Sequence, residues 1–143
     1  MKGGKMKRTK IPDNSKIYFY AVFRILIGFI FMLHGGQKLF GWFGGPGGNG
    51  SVALTSIYGF AGIIELIGGL FILLGLFTSI AALISAFNMI GAWIIVHIPK
   101  GFIPLTNGGE LAALYFAAFL VLIAYGAQAW SLEKILLKKE FMH

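Results

Sequence analysis

Seven polar side chains stand within or at the ends of long apolar runs: Arg24, His34 and Lys38 in RILIGFIFMLHGGQKLF (24–40), Glu65 in ELIGG (65–69), Asn88 and His97 in the run that ends at Ile98, and Glu110 at the head of ELAALYFAAF (110–119). A histidine titrates near neutral pH, and a carboxylate accepts hydrogen bonds where a lysine donates them. A His–Glu–Lys group can therefore hold the oxygens of a polar headgroup and pass protons to them. A quinone is one molecule whose carbonyls need such donors and whose reduction needs such a proton route. The same charges would also serve as a pathway for protons or a small solute. Simpler roles compete with these. Lysines near helix ends, such as Lys38 and Lys100, snorkel to lipid headgroups, and isolated histidines hydrogen-bond within a bundle. No HxxxH or HxxE spacing supports a haem or a metal.

The elements that must carry these residues are membrane helices. Hydrophobic residues make up 57% of the chain and charged ones 12%, with mean hydropathy +0.82, which leaves too little polar surface for a soluble domain. There are no cysteines, which excludes disulfides, thiolate metal sites and CxxC exchange. The net charge of +7 does not point to nucleic acid, because nine of the twelve Lys and Arg residues lie in the tails, 1–16 and 131–143. Anionic lipid is the expected partner of those tails. The first apolar run, 17–40, is too long for a cleavable signal and has no A-x-A-like site after it, so it is expected to stay as a helix.

A glycine-rich loop with Trp42 and Phe43 follows that helix. The run 57–98 would form a helix of about 63 Å at 1.5 Å per residue, twice a bilayer core, so it must turn back. Gly75 suits the end of one helix, and Thr78 or Ser79 the N-cap of the next. Pro99, Gly101 and Pro104 break the chain again. The predicted architecture is an all-α, polytopic four-helix membrane bundle. Its helices run over about 17–40, 57–76, 79–98 and 110–130, flanked by a basic tail at 1–16 and a basic amphipathic extension at 131–143. The positive-inside rule places both termini in the cytoplasm of a multi-pass cell-membrane protein. Trp42, Trp93 and Trp130 are expected near the interfaces as depth anchors, with pocket lining a second role open to Trp93.

Charge that deep is tolerated only when it faces a protein interior or a cavity. At 100° per residue Arg24, Gly28, Phe31, Gly35 and Lys38 share one stripe, as do Tyr58, Gly62, Glu65 and Gly69. Glu65 should be protonated or paired, with Arg24 and His34 each placed about 7–8 Å from it along the helix axes. Gly28, Gly35, Gly62, Gly68 and Gly69 would let the helices approach closely. His97 is expected on a different face from Ser85 and Asn88. His34, Lys38, His97, Lys100 and Glu110 gather at one membrane surface.

Three motifs in order carry a resemblance: R24-x3-G28 followed by HGGQKLFG (34–41), ELIGGLFILLGLFTSIAA (65–82), and YGAQAWSLEK (125–134). Over roughly residues 20–134 the chain resembles the DoxX family of small four-helix prokaryotic membrane proteins. The last motif departs from a closing G-x-G-x-x-S-L-D pattern, with Ala127 or Gln128 in place of a second glycine and Glu133 in place of the aspartate. The resemblance singles out Arg24, Gly35, Lys38, Glu65 and Gly69. It also implies association with quinol-oxidising and other membrane redox systems.

The reading that joins residues and resemblance is a redox-associated, quinone- or quinol-linked membrane subunit, holding a small amphiphilic ligand near the outer surface. No cofactor is built in from the sequence. The expected partners are the bilayer, a redox partner protein that supplies electrons, and a second copy of the chain. A non-catalytic scaffold or assembly subunit is the alternative from another class, with a solute or proton pathway the third.

Overall fold

The computed structural model describes residues 13–137. Among these residues the chain is all helical, with six helices and no strand. They are α1 (Asp13–Phe40), α2 (Ile57–Leu74), α3 (Thr78–Ala92), the short α4 (Pro104–Asn107), α5 (Glu110–Tyr125) and α6 (Leu132–Leu137). Most of the expected basic tail, 1–12, and the end of the amphipathic extension, 138–143, lie outside the described residues. Three helical stretches, Asn14–Phe40, Ile57–Leu74 and Thr78–Lys100, are long and apolar enough to cross a membrane, while the apolar α5 is shorter at 16 residues.

Each helix end has a local cause. Ser56 caps α2, its Oγ accepting from the Gly59 N–H at 3.0 Å. The far end of α2 stops at Leu74, before the expected residue 76, because Gly75 turns left-handed (φ 69°, ψ 44°) and Leu76 N–H bonds back to Phe71 O at 2.9 Å. The expected cap of α3 by Thr78 or Ser79 does not form. Phe77 occupies the cap position with φ 44°, Thr78 is buried in the first turn, and Ser79 Oγ donates to Ile123 O at 3.2 Å, tying α3 to α5. The run expected to stay helical to Trp130 leaves the helix after Tyr125. Gly126 adopts φ 66°, ψ −150°, open to a residue without Cβ, and the chain then turns back across the end of α1.

α1 packs along α2, and α3 along α5, with lesser contact between α2 and α3 joining the two pairs. The α1–α2 pair is antiparallel and very close. A Cβ on Gly28 would lie 2.8 Å from Gly69 O, one on Gly69 2.7 Å from Gly28 O, and one on Gly35 2.7 Å from Gly62 O. Lipid tails are as apolar as leucine, so contact of this kind, not hydrophobic exclusion, holds membrane helices together. Gly62 lies against the stems of Lys38 and Leu39, and Gly68 faces Ser85 of α3. Phe31 crosses to the other pair, 4.8 Å edge-on from Phe119 and 5.0 Å from Tyr115. The residues 41–56 and 98–109 lie at what is here the loop end of the helices, and residues 75–77 and 126–131 at the turn end.

Candidate functional site

The α1–α2 register decides which charges meet. Gly35 lies against Gly62 and Leu66, so Glu65 is level with His34 and Gly35, about ten residues or roughly 15 Å along α1 from Arg24. Side chains on a helix lean toward its N-terminus. In an antiparallel pair, Lys38 and Glu65 therefore lean toward each other, whereas Arg24 leans away. Lys38 Nζ forms an ion pair with Glu65 Oε2. The Glu65 side chain is 5% exposed and that of Lys38 20%. This corrects two expectations: Glu65 pairs with neither Arg24 nor His34, and Lys38 turns inward instead of snorkelling.

Arg24 has a different task. It is completely buried, and its guanidinium donates to four carbonyls: Nη1 to Ile72 O (2.6 Å) and Leu73 O (2.9 Å), Nη2 to Ala129 O (3.2 Å) and Trp130 O (2.7 Å). Two of these are carbonyls in the last turn of α2, Ile72 O also accepting the Gly75 N–H at 3.2 Å, and a cation there suits the helix dipole. The planar fork joins α2 to the chain after α5, with no carboxylate involved among the described residues. Gly75 makes room, since a Cβ there would lie 2.9 Å from Arg24 Nη1. Tyr20 adds a second tie, its hydroxyl donating to Gly126 O at 2.6 Å.

At the loop end, His34, Lys38, Glu65, His97 and Tyr115 line one cavity of about 230 Å³ floored by Phe31 and Met89. The His34 ring meets the Tyr115 ring edge-on with centroids 6.0 Å apart. His97 reaches the cavity because α3 does not continue as an ideal helix. At about 100° per residue it would stand half a turn from Asn88, as expected from the sequence. Residues Trp93–His97 instead form a π-helical turn, whose wider winding brings His97 round. Its Nδ1 lies 3.2 Å from Asn107 O, and a carbonyl only accepts, so Nδ1 is the donor of this bond.

Asn107 is the organiser of this corner. It is buried, donates from Nδ2 to Gly101 O at 2.8 Å, and accepts the Gly109 N–H on Oδ1 at 2.7 Å. Gly109 lets Trp93 and His97 pack close, since a Cβ would come within 2.9 Å of both rings. Trp93 thus lines a pocket against α5, next to His97 (6.2 Å) and Phe102 (6.5 Å).

A second and larger hollow, about 630 Å³, runs between α2 and α3 on the outside of the helices, and it shares Lys38, Glu65 and His97 with the inner cavity. Asn88 lines it, and its buried Nδ2 lies next to Glu65 without a hydrogen bond of normal geometry among the described residues.

Of the seven candidates, then, His34, Lys38, Glu65 and His97 come together and Asn88 borders them. Arg24 lies at the opposite end. Glu110 is exposed at the start of α5 and does not line the cavity. Tyr115 and Asn107 were absent from that set. The signal for Tyr115 was a phenol in the stripe Ala112, Tyr115, Ala118 and Leu122, which reads as core; that for Asn107 was a lone amide in a breaker segment.

The family model for DoxX matches residues 19–98. A Haemophilus influenzae protein given as "Uncharacterized protein" is 40% identical over 131 residues, covering 89% of this chain and 97% of its own. A Bacillus subtilis protein named "Putative oxidoreductase CatD" is 31% identical over 116 residues, 80% of this chain and 84% of that one. No solved structure matches the chain.

Proposed function

The chain belongs to the DoxX family, and from that premise we propose that it is a redox-associated membrane subunit whose Lys38–Glu65 cavity holds the headgroup of a quinone- or quinol-like amphiphile. The observation that carries this is the cavity itself. In a molecule whose surface is largely apolar, an ammonium, a carboxylate, two imidazoles and a phenol surround one space at helix depth. An ion pair offers a donor and an acceptor side by side, so it suits both carbonyl and hydroxyl oxygens. Tyr115 adds a further donor. His34 and His97 add two imidazoles to the wall, each able to hydrogen-bond an oxygen of the head.

A quinone accepts two electrons and two protons on becoming a quinol. This chain contributes hydrogen bonds and proton handling, and a redox partner protein contributes the electrons. The name of the Bacillus subtilis relative points toward oxidoreductase chemistry as well.

In this reading the protein is a multi-pass protein of the cell membrane, with α1, α2, α3 and α5 crossing and both tails cytoplasmic. The basic tails support that orientation. α5 is about 24 Å long at 1.5 Å per residue, short of a core of roughly 30 Å, and α4 with the 126–131 segment makes up the difference.

The test is an equilibrium titration of the purified protein with a tailless benzoquinone, read by tryptophan quenching. Saturable quenching that weakens in Tyr115→Phe and disappears in the double variant Lys38→Met with Glu65→Leu is expected. Quenching that never saturates, or that is the same in all three proteins, leaves the scaffold reading in its place.

A further inference from the structure

The inner cavity, at about 230 Å³, is smaller than the ~300–1,000 Å³ typical of sites for drug-sized ligands. It has room for a ring and none for a chain. The hollow between α2 and α3, at about 630 Å³, lies within that range and meets the cavity at Lys38, Glu65 and His97. Resting on the headgroup reading above, we infer that this hollow is the portal and seat for the tail: the ligand is a single-chain amphiphile that enters sideways from the bilayer between α2 and α3.

Three features fit that occupant. The walls toward the lipid are apolar and exposed, among them Ile57, Phe60, Ile84, Phe87 and Ile95. The inner end carries a polar group of no use to a hydrocarbon alone: the Asn88 amide, whose buried Nδ2 lies beside Glu65 without a hydrogen bond of normal geometry among the described residues. Between them, Gly91 leaves the hollow open: a Cβ there would meet nothing within 4 Å. Gly91 stands next to the end of α3, where the chain runs on into the π-helical turn, and neither close packing nor a left-handed backbone requires it. Absence of a side chain at that point keeps space.

The tail's seat decides access more than affinity. Surrounding lipid is as apolar as the hollow, so moving a chain from one to the other yields little. Blocking the hollow should therefore exclude tailed ligands while leaving a bare ring free to bind.

The experiment compares a decyl-chain benzoquinone with its tailless counterpart on wild type, Gly91→Phe and Gly91→Leu, with thermal unfolding to verify that each is folded. The expected result is that wild type binds both, whereas Gly91→Phe weakens the tailed ligand by roughly tenfold or more and leaves the tailless one within about twofold, with Gly91→Leu intermediate. If wild type binds both and the folded variants bind both as before, or lose both alike, the portal is overturned and the headgroup site stands. If wild type binds neither, the headgroup reading fails and the portal with it.

Discussion

Lys38 and Glu65 form a lopsided pair: the carboxylate is nearly sealed between α1 and α2, while the ammonium keeps a fifth of its side chain exposed at the loop end. Glu65 cannot leave without breaking helix packing, because Gly62 and Gly69 hold its helix against α1. Lys38 has a long stem and an exit. The pair is thus a buried charge with a movable partner, an arrangement able to admit a third polar group without dismantling the fold.

That asymmetry gives unequal costs. Lys38→Met strands a buried carboxylate and should cost about 3–5 kcal/mol of stability. Glu65→Leu should cost less, since the freed lysine reaches the membrane surface. The double variant should lie near wild type, and a double-mutant cycle on thermal unfolding in detergent reads the coupling. Single-variant costs that simply add would refute the pair.

Arg24 should behave as a planar fork and not as a charge. Arg24→Lys keeps the cation but cannot span four carbonyls, so it should lose nearly as much stability as Arg24→Met, several kcal/mol. In either variant a cysteine placed at Ala129 should become more reactive to thiol reagents. Arg24→Met and Glu65→Leu should be additive to within about 0.5 kcal/mol, because the two sites share no partner.

The glycines divide into two classes. Gly35→Ala and Gly69→Ala drive a methyl into the backbone of the facing helix and should cost about 1–3 kcal/mol or more through helix separation. Gly91→Ala should be neutral or stabilising by up to about 1 kcal/mol, since it improves helix propensity and touches nothing. Melting temperatures of the three variants check the contrast.

The helical class, the membrane character and the charged stripe of α1 were legible because apolar periodicity and run length report them directly. The partner of Glu65 was not. Choosing between Arg24, His34 and Lys38 needed the α1–α2 register, which is set by which glycine faces which carbonyl, together with the lean of each side chain. Placing His97 needed the π turn, which spreads each turn over more residues and so lowers the rotation per residue, a change that no residue type in WIIVH announces. Tyr115 belongs to the buried core and lines the cavity as well, so its apolar stripe does not set it apart. Asn107 acts through backbone hydrogen bonds, which composition does not reveal.

Topology has a clean test because the chain has no cysteine of its own. Single cysteines at Ser51 and Thr106 should be labelled by a membrane-impermeant maleimide from outside intact cells, and a cysteine at Leu76 only after the membrane is opened. Labelling of Ser51 from the cytoplasmic side alone would invert the orientation and place the cavity at the inner surface.

The central claim is that the Lys38–Glu65 cavity holds an amphiphile's headgroup. It is tested most directly by native mass spectrometry of the protein extracted gently from its own membrane, wild type beside the Lys38→Met, Glu65→Leu double variant, which should keep the fold while removing both polar partners. The expected spectrum has an adduct of quinone mass on wild type that is absent from the double variant. A wild-type spectrum without such an adduct, or one equally abundant in both proteins, would contradict the account.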